Sequence, residues 1–127
     1  MPHNLLVVDD DVELLKVLKT YWGDTLGYAV TAVTSGQEGL EAAMRENFDL
    51  AIPDVRVEGM LGTETYTRLK KIQPGIKAIF FTADHEFERT MDFLKFSLPA
   101  ERVLTKPLED MAELTRLIIG ILGPPAP

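Results

Sequence analysis

Five short apolar runs, each followed by residues at helical spacing, restrict this chain more than any other feature. "NLLVV" (4–8) is apolar throughout, as expected of a strand covered on both faces. Leu14, Leu15, Leu18, Tyr21 and Trp22 follow at helical spacing, and the glycines of "WGDTLGY" are expected to break that helix. "YAVTAV" (28–33) is a β-branched strand, and "SGQE" (35–38) fits a capping box opening a helix whose apolar face is Leu40, Ala43 and Met44. "FDLAI" (48–52) is a third strand. A glycine-bearing loop then leads to a helix lined by Tyr66, Leu69 and Ile72, which "QPG" (73–75) ends. "KAIFF" (77–81) and "RVLT" (102–105) supply the last two strands. Phe87, Met91 and Leu94 suggest a helix between them, stopped near Pro99. Met111, Leu114, Ile118, Ile121 and Leu122 line the final helix.

Strands alternating with helices of this length imply an α/β fold, a doubly wound parallel sheet with helices on both faces. Right-handed crossovers reduce the arrangement to a few strand orders. At 127 residues the chain is expected to be one domain over 1–122, with "GPPAP" (123–127) as a proline-rich tail or the start of a linker. Thirteen basic against 20 acidic residues leave a net charge of −7, which argues against direct nucleic-acid binding. The chain has no cysteine and only His3 and His85, so thiolate chemistry is excluded and a histidine metal site is not expected. No apolar run is long enough for a membrane span, and the N-terminal one leads straight into aspartates, unlike a signal peptide. The expected compartment is the cytoplasm.

Ligands of open parallel sheets bind beyond the carboxyl ends of the strands. Asp9 and Asp10 follow the first strand, Asp54 the third, Thr82 and Ala83 the fourth, and Lys106 and Pro107 the fifth. Three acids, a hydroxyl and an ammonium therefore converge on one edge. Two unit charges about 4 Å apart repel by roughly 4 kcal/mol at an effective dielectric near 20, so clustered carboxylates call for a cation. Oxygen-only ligands suit Mg²⁺, Mn²⁺ or Ca²⁺, and Mg²⁺ commonly bridges one or two carboxylates to a phosphate oxygen. A lysine beside such a site is a natural partner for that phosphate. Asp11 reads as a helix N-cap, which leaves the Asp9–Asp10 pair without a structural explanation. His85 reads as a first-turn helix residue, Phe87, Phe93 and Phe96 as core and loop packing, and Trp22 as packing under the 23–27 loop.

At "VVDDD" (7–11), "DLAIPD" (49–54), "FFTA" (80–83) and "TKP" (105–107) the chain resembles the receiver domains of two-component response regulators. The likeness covers roughly 4–122. It implies a flavodoxin-like (βα)5 fold with strand order 2-1-3-4-5, and a phosphorylation-switched signalling module rather than an enzyme. Asp54 would accept a phosphoryl group from the phosphohistidine of a sensor histidine kinase or phosphotransfer protein. Asp10 and Asp54 would bind Mg²⁺ with the backbone carbonyl of Arg56, and Asp9 would act through water. Lys106 and Thr82 would each contact a phosphoryl oxygen, and Lys106-Pro107 would be a cis bond. Catalysis would be confined to self-phosphorylation and slow autodephosphorylation. An unidentified output protein or domain would receive the signal, and the helix 4–strand 5–helix 5 face is a candidate for homodimerisation.

Several positions depart from the family pattern. Val103 stands where receivers commonly carry an aromatic, Val57-Glu58 replaces Met-Pro, and "SLPAE" (97–101) replaces a Gly-Ala turn. Pro53 lies in what should be the central strand, where pairing is expected to end or bulge. Arg56 and Asp84 suggest an ion pair over the acyl phosphate. Three other functions compete. An aspartyl phosphatase would need an acid where Arg56 stands, and a flavin or nucleotide carrier would need a phosphate loop where the aspartates stand. A receiver-like scaffold with weak or altered switching is the third, because Val103 and Glu58 leave the output open.

Overall fold

The computed structural model describes residues 3–57, 59–107 and 111–124. Glu58 and residues 125–127 of the tail lie outside them. A four-stranded parallel sheet is built from β1 (Asn4–Val8), β2 (Ala29–Val33), β3 (Leu50–Pro53) and β6 (Lys77–Ala78), in the order β2-β1-β3-β6. A hairpin of β4 (Arg56–Val57) and β5 (Met60–Leu61) follows β3. β7 (Phe80–Thr82) continues the line of β6 and pairs in parallel with β8 (Val103–Thr105). A parallel bridge between Asp54 and Phe81 joins the two sheets. Counting β6 and β7 as one interrupted strand, the order is the expected 2-1-3-4-5.

The apolar run of β1 is buried from Leu5 to Val8 because helices cover both faces of the sheet. Side chains alternate between those faces. Leu6, Val8, Ala51 and Phe80 join Leu40, Tyr66 and Leu69 of α2 (Gly36–Arg45) and α3 (Gly62–Ile72). Leu5, Val7, Ile52 and Phe81 join Leu15 and Leu18 of α1 (Val12–Leu18) and Leu114 and Ile118 of α5 (Met111–Leu122).

Four local expectations need correction. Gly23 does not break the first helix. The chain passes from α1 into a π-helical segment, Lys19–Thr25, with Leu26 N–H donating to the Tyr21 carbonyl, and Gly27 at φ +88° makes the exit. Trp22 packs against α5 rather than beneath a loop. It is fully buried, and its Nε1–H donates to Thr115 Oγ1 at 3.1 Å. Met44 is 73% exposed, because the inner face of α2 is filled by Leu40, Ala42 and Ala43. The helix before Pro99 is one turn, α4 (Met91–Leu94), capped by Thr90, with Ser97 at φ +54°. Phe87 belongs to a separate 3₁₀ turn (Phe87–Arg89), and Met91 and Leu94 face outward. Aromatic packing explains the irregularity. Phe80 contacts Tyr66, Phe87, Phe93 and Phe96 with ring centroids 5.4–6.0 Å apart, and the backbone follows those rings instead of a helical repeat. Trp22→Phe should lower unfolding free energy by roughly 1–2 kcal/mol in urea titration, since it removes ring volume and the bond to Thr115.

Pro53 interrupts pairing as expected, but on one side only. Successive residues of a parallel strand direct their N–H groups to opposite neighbours. Toward β1, Val8 pairs with Pro53 and Asp54 N–H donates to the Val8 carbonyl at 2.8 Å. Toward β6 the ladder stops at Ala51–Ala78, because the next donor in that direction would be the proline nitrogen.

Candidate functional site

Each strand end delivers its side chain to one crevice. Asp9 and Asp10 follow β1, where Asp9 N–H donates to the Val33 carbonyl and so continues the ladder. Asp9 is buried, and its Oδ1 accepts from Asp11 N–H at 2.9 Å. Asp11 caps α1 as expected, its side chain accepting from Leu14 N–H. Asp54 follows β3, with Oδ1 accepting from Arg56 N–H at 3.2 Å. Lys106 follows β8 and reaches back between the acids. Its Nζ donates to Asp9 Oδ2 at 2.8 Å and to Asp54 Oδ2 at 3.0 Å, and lies 5.2 Å from the Phe81 ring centroid. The Lys106-Pro107 bond is cis.

One cation thus serves two buried anions. Burial is the largest influence on the Asp54 carboxyl and raises its pKa, and the charge on Asp9 adds to that against the opposing bonds from Lys106 and Arg56 N–H. Burial alone would lower the Lys106 ammonium, but hydrogen bonds and attraction from Asp9 and Asp54 outweigh it and raise its pKa. The lysine gains from two carboxylates, whereas Asp54 shares its countercharge and remains under-compensated.

Carboxylate oxygens of Asp9, Asp10 and Asp54 can be chosen that all lie within 4.8 Å of one another. The donor set is oxygen only, two of its members are buried, and Asp10 opens to solvent. Such a set fits a hard divalent cation that keeps some of its water. Beside it lies a cleft of about 560 Å³ lined by Asp54, Arg56, Thr82, Ala83, Asp84 and Lys106. Thr82 is buried at the end of β7, and its Oγ1 accepts from Asp84 N–H at 3.0 Å. Asp54, Thr82, Ala83 and Lys106 therefore line one opening, with Asp9 and Asp10 gathered beside Asp54.

Some expectations fall differently. Arg56 and Asp84 share the cleft, but among the described residues no ion pair joins them, and Asp84 Oδ1 instead accepts from Glu86 N–H. His85 occupies an exposed turn, not a helix. Val103 is half-buried and packs against the Phe80 cluster.

Gly62 belongs to the site, although its sequence context showed only a glycine-bearing loop. A Cβ there would lie 2.3 Å from the Asp54 carbonyl oxygen and 2.9 Å from Val55 Cα, both rigid backbone. Gly62 N–H also donates to the Val55 carbonyl at 2.8 Å, so α3 begins pressed against the chain behind Asp54. Gly62→Ala should destabilise by about 1–3 kcal/mol in urea unfolding, because that backbone must move.

Comparison with known proteins agrees with this arrangement. The family model described as response regulator receiver domain matches residues 5–119. The transcriptional regulatory protein GlrR of Escherichia coli (strain K12) is 43% identical over 82 residues, covering 65% of this chain and 18% of that protein. The transcriptional regulatory protein ZraR of the same organism is 35% identical over 109 residues, covering 84% and 23%. The chain therefore spans about a fifth of the length of these relatives. A CheY-like response regulator receiver domain protein from Methanospirillum hungatei JF-1 superposes with a TM-score of 0.81 at 28% identity, covering 95% of this chain and 94% of that one. A chain from the complex of histidine kinase ThkA with response regulator TrrA gives 0.78 at 25% identity, covering 94% and 98%. With the parallel five-position sheet and the acids, hydroxyl and lysine at its carboxyl edge, these matches lead to one conclusion: the chain belongs to the response regulator receiver domain family, a signalling module.

Proposed function

We propose that Asp54 is the phosphoacceptor of this receiver domain, using a divalent cation, with Mg²⁺ the fitting choice. The observation that carries the reading is the shared pocket of Asp9, Asp10, Asp54 and Lys106 beside an open cleft. An Asp54 carboxylate oxygen attacks the phosphorus of a phosphohistidine. The P–N bond breaks, and the departing imidazole nitrogen keeps its electron pair and takes a proton from solvent. Bound Mg²⁺ supplies charge neutralisation for the carboxylates and the incoming phosphate. Asp10 and Asp54 would hold it directly with the Arg56 backbone carbonyl, and Asp9 through water.

This chain's residues do the rest by position and charge. Lys106 exchanges carboxylate partners for a phosphoryl oxygen, and the Thr82 hydroxyl donates to a second one while accepting from Asp84 N–H. Autodephosphorylation is attack of water at the same phosphorus, and it is slow. A histidine kinase or phosphotransfer protein is the donor, in line with the kinase complex of TrrA, and an output domain or protein receives the signal. The setting is cytoplasmic. Among the described residues no helix is long and apolar enough to cross a membrane.

Incubation with Mg²⁺ and acetyl phosphate, followed by intact mass measurement, tests the proposal. A gain of about 80 Da per chain is expected, and none in EDTA. Absence of the adduct in Mg²⁺ would refute it.

A further inference from the structure

We infer that Pro53 is a positioning residue for Thr82 and Lys106, acting through the hydrogen bond it withholds from Ile79. The site residues are divided between two sheets. Asp9, Asp10 and Asp54 follow strands of the four-stranded sheet, whereas Thr82 ends β7 and Lys106 follows β8 in the two-stranded one. The division falls at Ile79. Register places the Ile79 carbonyl opposite the Pro53 nitrogen, which has no hydrogen to donate. Ile79 is fully buried, so water does not reach it, and among the described residues its carbonyl accepts no hydrogen bond.

Connections on either side of this gap are unequal. Ile79 N–H donates to the Ala51 carbonyl at 3.0 Å, but beyond the gap Val55 N–H reaches the Phe81 carbonyl at only 3.4 Å. On the other edge of the same segment, Asp54 N–H donates to Val8 at 2.8 Å. Asp54 is thus held to β1 by a short bond, whereas past the gap, among the described residues, β7 rejoins β3 only through the single Asp54–Phe81 bridge. The missing donor lets β7 and β8 shift as a pair against β3, carrying the hydroxyl and the ammonium together toward a group on Asp54. An N–H at position 53 would close the seam and hold them back.

The rate arm of the test rests on Asp54 as phosphoacceptor; the other arms do not. With a ¹³C=¹⁸O label on Ile79 of the unmodified chain, the amide I band should lie at the frequency of a free carbonyl. A band in the hydrogen-bonded sheet range overturns the inference, and this arm needs no variant. In Pro53→Ala the band should shift to the bonded range. Amide exchange at Phe81 and Thr82 should slow roughly fivefold, the worth of one hydrogen bond, with Leu6 and Val7 unchanged. A uniform change over the whole sheet, or none, overturns it. Mg²⁺ affinity should stay within about twofold because its carboxylates share one sheet, while uptake from acetyl phosphate slows roughly fivefold. Weaker Mg²⁺ binding with unchanged uptake overturns it. Failure of the parent chain to take up phosphate would refute the proposed function, while the infrared and exchange arms would still decide the role of Pro53.

Discussion

Asp54→Asn is expected to take up no phosphoryl group from acetyl phosphate in Mg²⁺, with the mass gain of the parent chain absent. The neutral amide lacks the negative charge of the carboxylate, and its oxygen is too weak a nucleophile to displace a leaving group from phosphorus. Asp9 and Asp10 do not substitute for it, because neither lines the cleft onto which Asp54 opens. The same variant should be more stable than the parent near neutral pH in EDTA. The sign follows from burial. Asp54 has a raised pKa in the folded state, so its contribution is complete at pH values below the unfolded carboxylate range and is lost as pH rises through the raised value. The stability gap between variant and parent should therefore shrink as pH falls through the raised value. Thermal melts across that range in EDTA check it, and a gap that widens on acidification would contradict the assignment of burial as the dominant cause.

Lys106→Met should lower stability by about 3 kcal/mol in EDTA, at the low end of the range for breaking a buried ion pair. The low end applies because the Lys106 side chain is 23% exposed, while Asp9 and Asp54 are 2% and 10% exposed. Methionine keeps the packing against Phe81 and removes only the charge and its two hydrogen bonds. Two carboxylates would then face each other with Arg56 N–H and Asp11 N–H as their fixed donors. Millimolar Mg²⁺ should restore most of the loss, since a divalent cation supplies the missing countercharge. Phosphoryl uptake should remain low even then, by roughly 10²-fold or more, because charge on the transferring group is no longer met from the lysine side. Melting with and without Mg²⁺, paired with uptake rates, separates the two roles.

The positions of these residues along the chain were legible because a covered parallel strand announces itself. Four apolar residues ending in Asp9, or "FDLAI" ending near Asp54, state both the strand and the edge at which the polar residue emerges. Periodicity alone placed β1, β2, β3, α2, α3 and α5. It failed from Phe87 to Leu98, where the rings of Phe87, Phe93 and Phe96 pack around Phe80 and no helical repeat survives. It also failed at Gly23, because a π-helical segment keeps the chain turning past a residue that usually stops it.

By itself the sequence determined the alternation of elements, and through it the gathering of Asp9, Asp10, Asp54, Thr82 and Lys106 at one edge, since strand ends in a parallel sheet share that edge. Only the tertiary structure decided that a single lysine bridges two buried carboxylates, that Gly62 must lie against the Asp54 carbonyl, and that the gap at Pro53 opens toward Ile79 and not toward β1. Those outcomes depend on which backbone and side-chain atoms the packed chain brings together, from Gly62 and Asp54 in adjoining elements to Lys106 and Asp9 at a separation of 97, and no local pattern encodes that.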